Sequence, residues 1–133
     1  MPEALLQVQS LVKHFDVVER GIVRRRKIGV VHAVDGLDFH INRGETLALV
    51  GESGCGKTTA AKVVLYLEDP TGGEAYFDGL NVFETFKSGD RATRLKLRRS
   101  MQMVFQNPYA SLDPRMTVYD IVSEAFLVHK HIP

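Results

Sequence analysis

The segment TLALVGESGCGKTTAAKVV, Thr46 to Val64, limits the fold of this chain more than any other stretch. Leu47, Ala48, Leu49 and Val50 form an unbroken apolar run, the pattern of a strand covered on both faces in a parallel α/β sheet. Beyond a glycine-rich turn, Ala60, Val63, Val64 and Leu67 recur at i, i+3, i+4 and i+7, so they share one face of a helix. A strand, a glycine turn and a helix in immediate succession point to a layered α/β arrangement.

The turn carries a specific chemistry. Gly51, Gly56, Lys57 and Thr58 match G-x-x-x-x-G-K-[ST], a pattern that belongs after a buried strand and at the first turn of an amphipathic helix. Gly51, Gly54 and Gly56 open backbone conformations closed to residues with a Cβ. The N–H groups of the loop, through Glu52, Ser53 and Cys55, can then converge on one anion. A helix beginning near Lys57 adds unpaired N–H groups and the positive end of its dipole. These features imply a bound polyphosphate, with Lys57 bridging the β- and γ-phosphates, the Thr58 hydroxyl as a ligand of Mg²⁺ and Thr59 bonding on the α-phosphate side. Cys55 contributes its backbone and is not a nucleophile.

Composition sets outer bounds. The 133 residues suit one domain, and 44% apolar and 25% charged residues with a net charge of +1 are an ordinary globular balance that names no partner. A single cysteine leaves no intramolecular disulfide and lacks the paired spacing of a zinc site. The start MPEALLQVQS has no secretory-signal features, and no stretch approaches the ~18 apolar residues of a membrane span. The expectation is a cytoplasmic chain whose membrane role, if it has one, is peripheral.

ALLQVQSLVKHF reads as a half-buried strand closed by Phe15. Residues 16–29 read as a loop excursion. Its run Arg24, Arg25, Arg26 and Lys27 suits either a solvated loop or an anionic partner such as lipid headgroups or nucleic acid. VVHAVDGLDFHIN is a second extended segment, followed by a turn at RGE. The helix after the glycine turn is expected to stop near EDPTGG, and GEAYFDGLNVF reads as strand, turn and strand about Asp78 and Gly79. Asp90 is placed to cap a basic helix through Arg99, with a strand at MQMVFQ. Thr117 and Asp120 have capping-box spacing before Val118, Ile121, Val122, Ala125 and Phe126, which share a helical face.

Phe15 ahead of the glycine turn, EDPTGGEAYFDGLNV after its helix and RRSMQMVFQNPYASLDPRMTV further on resemble, in this order and spacing, the ATP-binding subunits of ABC transporters, most closely those of the oligopeptide and dipeptide importers. The resemblance covers essentially the whole chain. It is most specific at GESGCGKTT, at MVFQNPYASLDPRMTV and in the basic insertion after Phe15. It implies an α/β fold, a P-loop NTPase of ABC type, with an antiparallel β subdomain and the start of the parallel core sheet. It gives Phe15 the role of stacking on adenine, as a flat ring can cover a flat base; a place in an edge-strand core is the other role open to it. It makes Gln106 the glutamine that reaches the Mg²⁺ and the attacking water and links the site to the membrane subunit. An amide suits that role because it donates and accepts without adding charge. NPYASLDPRMTV would face the transmembrane partner, with Tyr109, Leu112 and Met116 as apolar contacts.

The activity so implied is hydrolysis of ATP to ADP and phosphate, with Lys57 and Gln106 catalytic and Thr58 and Gln106 on the metal, energising import of peptides or similar small solutes. Its partners would be transmembrane permease subunits and a second ATP-binding subunit at the cytoplasmic face of the membrane, with no nucleic acid. Two other readings stay open: an inactive truncated nucleotide-binding module, and a soluble ABC-type ATPase acting on nucleic acid, supported only by the arginine run. The acidic Walker B strand and an LSGGQ signature are not found. VVLYLED lies on the helix after the glycine turn, PTGGEA lies before Gln106, and His129 and His131, at i and i+2, point to different helix faces and support neither a switch residue nor a metal pair. Residues 1–133 are therefore expected to be the N-terminal portion of one nucleotide-binding domain, Walker A through Q-loop, inefficient in hydrolysis alone and exposing an apolar sheet edge at 47–50. The 133-residue chain is expected to aggregate and to melt without a sharp transition; a monodisperse elution profile with a cooperative melt would contradict this.

Overall fold

The computed structural model describes residues 4–20, 25–107 and 112–129, with no side-chain description at 20, 25 and 129. Arg24, Tyr109 and His131, and the side chain of His129, lie outside the described residues. The chain forms two compact units, Met1–Arg94 and Leu95–Pro133.

In the first unit β1 (Ala4–Arg20) and β2 (Arg25–Asn42) form a long antiparallel hairpin, and β3 (Gly72–Phe77) and β4 (Leu80–Asn81) extend the sheet in the order β2-β1-β3-β4. Residues 16–20 and 25–29, expected in a loop, continue the two strands, and only 21–24 separate them. The segment is rich in β-branched residues, and Val17, Val18, Ile28, Val30 and Val31 can form a ribbon without a buried face; all five are exposed. Lys27 pairs with Asp16 at 2.6 Å across the hairpin.

The looseness of the β1 alternation has a definite cause. Val8 and Leu11 are both buried although three residues apart, because β1 carries a bulge between them and Ser10 has a φ of 45°. The Ser10 N–H is satisfied by the Asp38 carboxylate at 2.8 Å. The Ser10 carbonyl presses on Gly73, where an added Cβ would overlap it and where φ is 83°.

Helix α1 (Lys57–Val64) buries Ala60, Val63 and Val64 and packs against β1 and β2. It ends sooner than Pro70 requires. Tyr66 adopts a φ of 51°, Leu67 N–H donates to the Lys62 carbonyl at 2.8 Å and Tyr66 N–H to that of Val63 at 2.9 Å, a Schellman ending. Leu67 thus leaves the helix face and is 46% exposed. Stacking of the Tyr66 ring on Phe86, 5.1 Å between centroids, offsets the strain of a left-handed residue.

The turn at Asp78 and Gly79 forms as expected, with φ of 50° and 77°. The strand after it is only two residues long. The Asn81 side chain accepts from Glu84 N–H at 3.0 Å and starts α2 (Val82–Ser88), which buries Val82 and Phe83. Asn-x-x-Glu at 81–84 was the available signal for that helix. Asp90 caps α3 (Arg91–Ser100), accepting from the N–H groups of Ala92 and Thr93; hydrogen bonding from Thr93 holds its carboxyl below the usual range.

Two apolar segments expected as strands, Leu47–Val50 and residues 101–106, have no ladder partner among the described residues. The exposure expected at the first is present: Val50 is 93% exposed. Apolar residues alone do not make a strand, because each N–H and C=O needs a neighbouring chain.

In the second unit, α3 ends and α4 (Val118–His129) begins at the expected capping box. The Asp120 N–H donates to the Thr117 hydroxyl at 3.2 Å and the Thr117 N–H to the Asp120 carboxylate at 3.2 Å. Val118, Val122 and Phe126 of the expected apolar face are exposed. Replacing Asn81 with alanine should remove the α2 cap and cost about 1 kcal/mol; a denaturant titration showing no shift of midpoint would refute that role.

Candidate phosphate-binding site

The loop Gly51–Gly56 runs from the apolar segment into α1. Gly54 and Gly56 have φ of 83° and 93°, which residues with a Cβ rarely adopt. At Gly56 there is also no room: an added Cβ would overlap the Ala33 carbonyl oxygen of β2. That carbonyl is brought there by a bulge in β2, where β1 advances one residue from Lys13 to His14 while β2 advances two, from Val34 to His32. At Gly51 a Cβ would stand 2.6 Å from the Cys55 Sγ.

Gly56 caps α1 without a side-chain acceptor, and the first turn holds no acidic residue. The first intrahelical bond is Ala60 N–H to the Gly56 carbonyl at 2.8 Å, so the N–H groups of Lys57, Thr58 and Thr59 have no intrahelical acceptor. Together with the helix dipole they favour an anion. The Lys57 ammonium lies back across the loop, donating to the carbonyls of Gly51 at 2.8 Å and Glu52 at 2.7 Å and lying 3.4 Å from the Cys55 Sγ. Its charge therefore stands where the loop closes. The Thr58 hydroxyl is exposed and makes no hydrogen bond among the described residues, which leaves a hard oxygen donor available to a cation such as Mg²⁺.

Beside the loop is a cleft of ≈ 290 Å³, walled by Ala33–Leu37 of β2, by Leu49 and Val50, and by Cys55, Gly56, Lys57 and Ala60. The β2 wall was not singled out from sequence. Its available signal was Gly36 inside a strand pattern, here at φ 70°. Glu52 and Ser53 are exposed on the loop and are not among the cleft residues.

Phe15 does not line the cleft. It lies on β1, paired with Val31 and 37% exposed, so it is not an edge-strand core residue. The Lys13 ammonium stands 4.6 Å from the ring centroid, a cation–π contact, while donating to the Asp69 carbonyl at 2.8 Å. One face of the ring thus has a cation over it. Gln106 belongs to the second unit, exposed in irregular backbone between α3 and α4. Leu112 there is exposed and Met116 half-buried.

Residues 34–131 match the family model described as ABC transporter. The chain is 49% identical over 130 residues to the oligopeptide transport ATP-binding protein OppF of Bacillus subtilis, covering 98% of this chain and 39% of the relative. It is 42% identical over 129 residues to the dipeptide transport ATP-binding protein DppF of Escherichia coli, covering 97% and 36%. It therefore spans somewhat over a third of the length of these curated relatives. Among solved structures, the dimeric bacterial ABC transporter cassette MJ0796 matches with a TM-score of 0.68 at 22% identity, covering 93% of this chain and 47% of that one. The ATP-binding cassette MJ0796 bound to ADP and Pi matches with a TM-score of 0.67, also at 22% identity, over 93% of this chain and 47% of that one. Both likenesses show a shared fold.

Gly56→Ala meets both a forbidden φ and the Ala33 carbonyl, whereas Gly54→Ala meets only the φ, with open space around it. Gly56→Ala should therefore lower stability by about 1–3 kcal/mol and by clearly more than Gly54→Ala; equal midpoints in chemical denaturation would show that the β2 contact is unimportant.

Proposed function

Since this chain belongs to the ABC transporter family, we propose that it forms the nucleotide-gripping part of an ATP-binding subunit that energises membrane import of peptides or similar small solutes. The observation that carries the reading is the loop Gly51–Gly56, seated on β2 through Gly56, crossed by Lys57 and opening onto the uncapped start of α1. The printed names of the relatives, oligopeptide and dipeptide transport ATP-binding proteins, support the solute class. In this reading residues 1–133 are the N-terminal portion of one nucleotide-binding domain, and the subunit is peripheral to the membrane. It docks on permease subunits and pairs with a second ATP-binding subunit, as the dimeric cassette of the same fold suggests. No helix among the described residues is long and apolar enough to cross a membrane.

The phosphate chain of ATP lies in the loop, with the N–H groups of Gly51–Gly56 and of the first turn of α1 donating to its oxygens. Lys57 exchanges its bonds to the Gly51 and Glu52 carbonyls for the β- and γ-phosphates and stabilises the charge that builds on them. Mg²⁺, when bound, supplies charge neutralisation between those phosphates, and Thr58 offers it the hydroxyl. Thr59 serves the α-phosphate side. By the family resemblance Gln106 would act on the attacking water, and Phe15, which is 37% exposed, would stack on adenine. Water attacks the γ-phosphorus in line, the bond to the β,γ-bridging oxygen breaks, and ADP and phosphate leave.

Lys57→Ala in the full-length protein should lower ATP turnover by at least ~10²-fold, the scale on which one preorganised charge-stabilising donor acts. Wild-type turnover in that variant, measured by phosphate release, would defeat the assignment.

A further inference from the structure

β1 and β2 hold a second cluster of donor atoms that the phosphate loop does not use. His14 and His32 are direct cross-strand partners, with ring centroids 3.9 Å apart and planes inclined by 37°. The Asp35 carboxylate reaches both: Oδ1 is 3.3 Å from His14 Nε2 and Oδ2 is 3.6 Å from His32 Nδ1. In a regular strand, residues 32 and 35 would face opposite sides. Two register shifts of β2, one at Ala33 and one between Val34 and Leu37 where Gly36 has a φ of 70°, break that alternation, and Asp35 meets the two histidines on one face.

We propose that His14, His32 and Asp35 form a binding site for one divalent transition-metal ion of the zinc class. The three donor atoms already lie within 4.8 Å of one another. Tetrahedral zinc, with bonds of about 2.0–2.1 Å, holds its donors roughly 3.3 Å apart, so side-chain rotation alone closes the set. Two imidazoles and one carboxylate suit zinc and its neighbours rather than Mg²⁺ or Ca²⁺, which take oxygen donors. The strand ladder fixes the two histidine backbones before any ion arrives, which reduces the ordering that binding must impose. Exposure is graded: the side chain of His14 is 24% exposed, that of His32 57% and that of Asp35 68%. His14 anchors the inner side, and the outer side is open for water as the fourth ligand. Asp35 also walls the cleft beside the phosphate loop, so metal binding is measured without nucleotide.

Titrating the full-length protein with Co²⁺ in a non-coordinating, nucleotide-free buffer tests it. Visible d–d absorption should saturate, and the part of it owed to this site should be displaced by Zn²⁺. His32→Gln and Asp35→Asn should each weaken that binding at least tenfold, with unchanged far-UV circular dichroism because both side chains are largely exposed. His40→Gln, on the same strand but outside the cluster, should bind as the wild type does. No tetrahedral Co²⁺ band, wild-type affinity in both cluster variants, or an equal loss with His40→Gln would each overturn the proposal.

Discussion

The contact between Gly56 and the Ala33 carbonyl is the constraint on which the rest of the site depends. A bulge in β2 turns that carbonyl toward the loop, and only a residue without a Cβ, at a φ of 93°, can lie against it. Where Gly56 sits decides where α1 starts, and therefore where its unpaired N–H groups and Lys57 stand. The glycine loop is thus held against a strand 23 residues earlier in the chain as well as by its own turn.

The same fixing recurs at the other end of α1. After the Schellman ending at Tyr66, Thr71 N–H donates to the Val12 carbonyl at 2.9 Å, and the Thr71 hydroxyl accepts from His14 N–H at 3.0 Å. Lys13 reaches back to the Asp69 carbonyl and lies 3.7 Å from the Glu68 carboxylate. The helix is therefore clasped to the hairpin at both termini, with Ala60, Val63 and Val64 buried between. Lys13 connects this clasp to Phe15 through its position over the ring, so the residue read as an adenine platform shares its support with the end of the phosphate-loop helix. Several of the hairpin's register shifts have a use: one shapes β1 around Gly73, another lies at Ala33 beside Gly56, and the two in β2 flank Asp35 where it meets the two histidines.

How legible each feature was depended on the range of the interaction that makes it. The caps at Asp90 and Thr117 involve residues two or three positions apart, so their spacing carried the answer. The glycine turn and the start of α1 at Lys57 were legible for the same reason: glycines, lysine and threonine at fixed offsets state a local geometry. The early end of α1 was hidden because Tyr66, not a glycine, takes the left-handed position, supported by Phe86 twenty residues later. The length of the hairpin was hidden because charged residues near its tip resemble a loop until their cross-strand partners are known.

By itself the sequence determined the glycine turn with its lysine and threonines, the start of α1, the caps of α3 and α4, and the resemblance of the chain to ABC ATP-binding subunits. Tertiary structure decided which strand walls the loop, where α1 stops, that Phe15 shares its ring with a lysine, and that two histidines and an aspartate meet on one face. It also left the apolar run at Leu47–Val50 without a ladder among the described residues. The physical reason is common to all of these. A side-chain pattern sets what a segment can do alone, but bulges, close approaches and strand pairing exist only between segments, and their positions follow from how the backbone hydrogen bonds are shared.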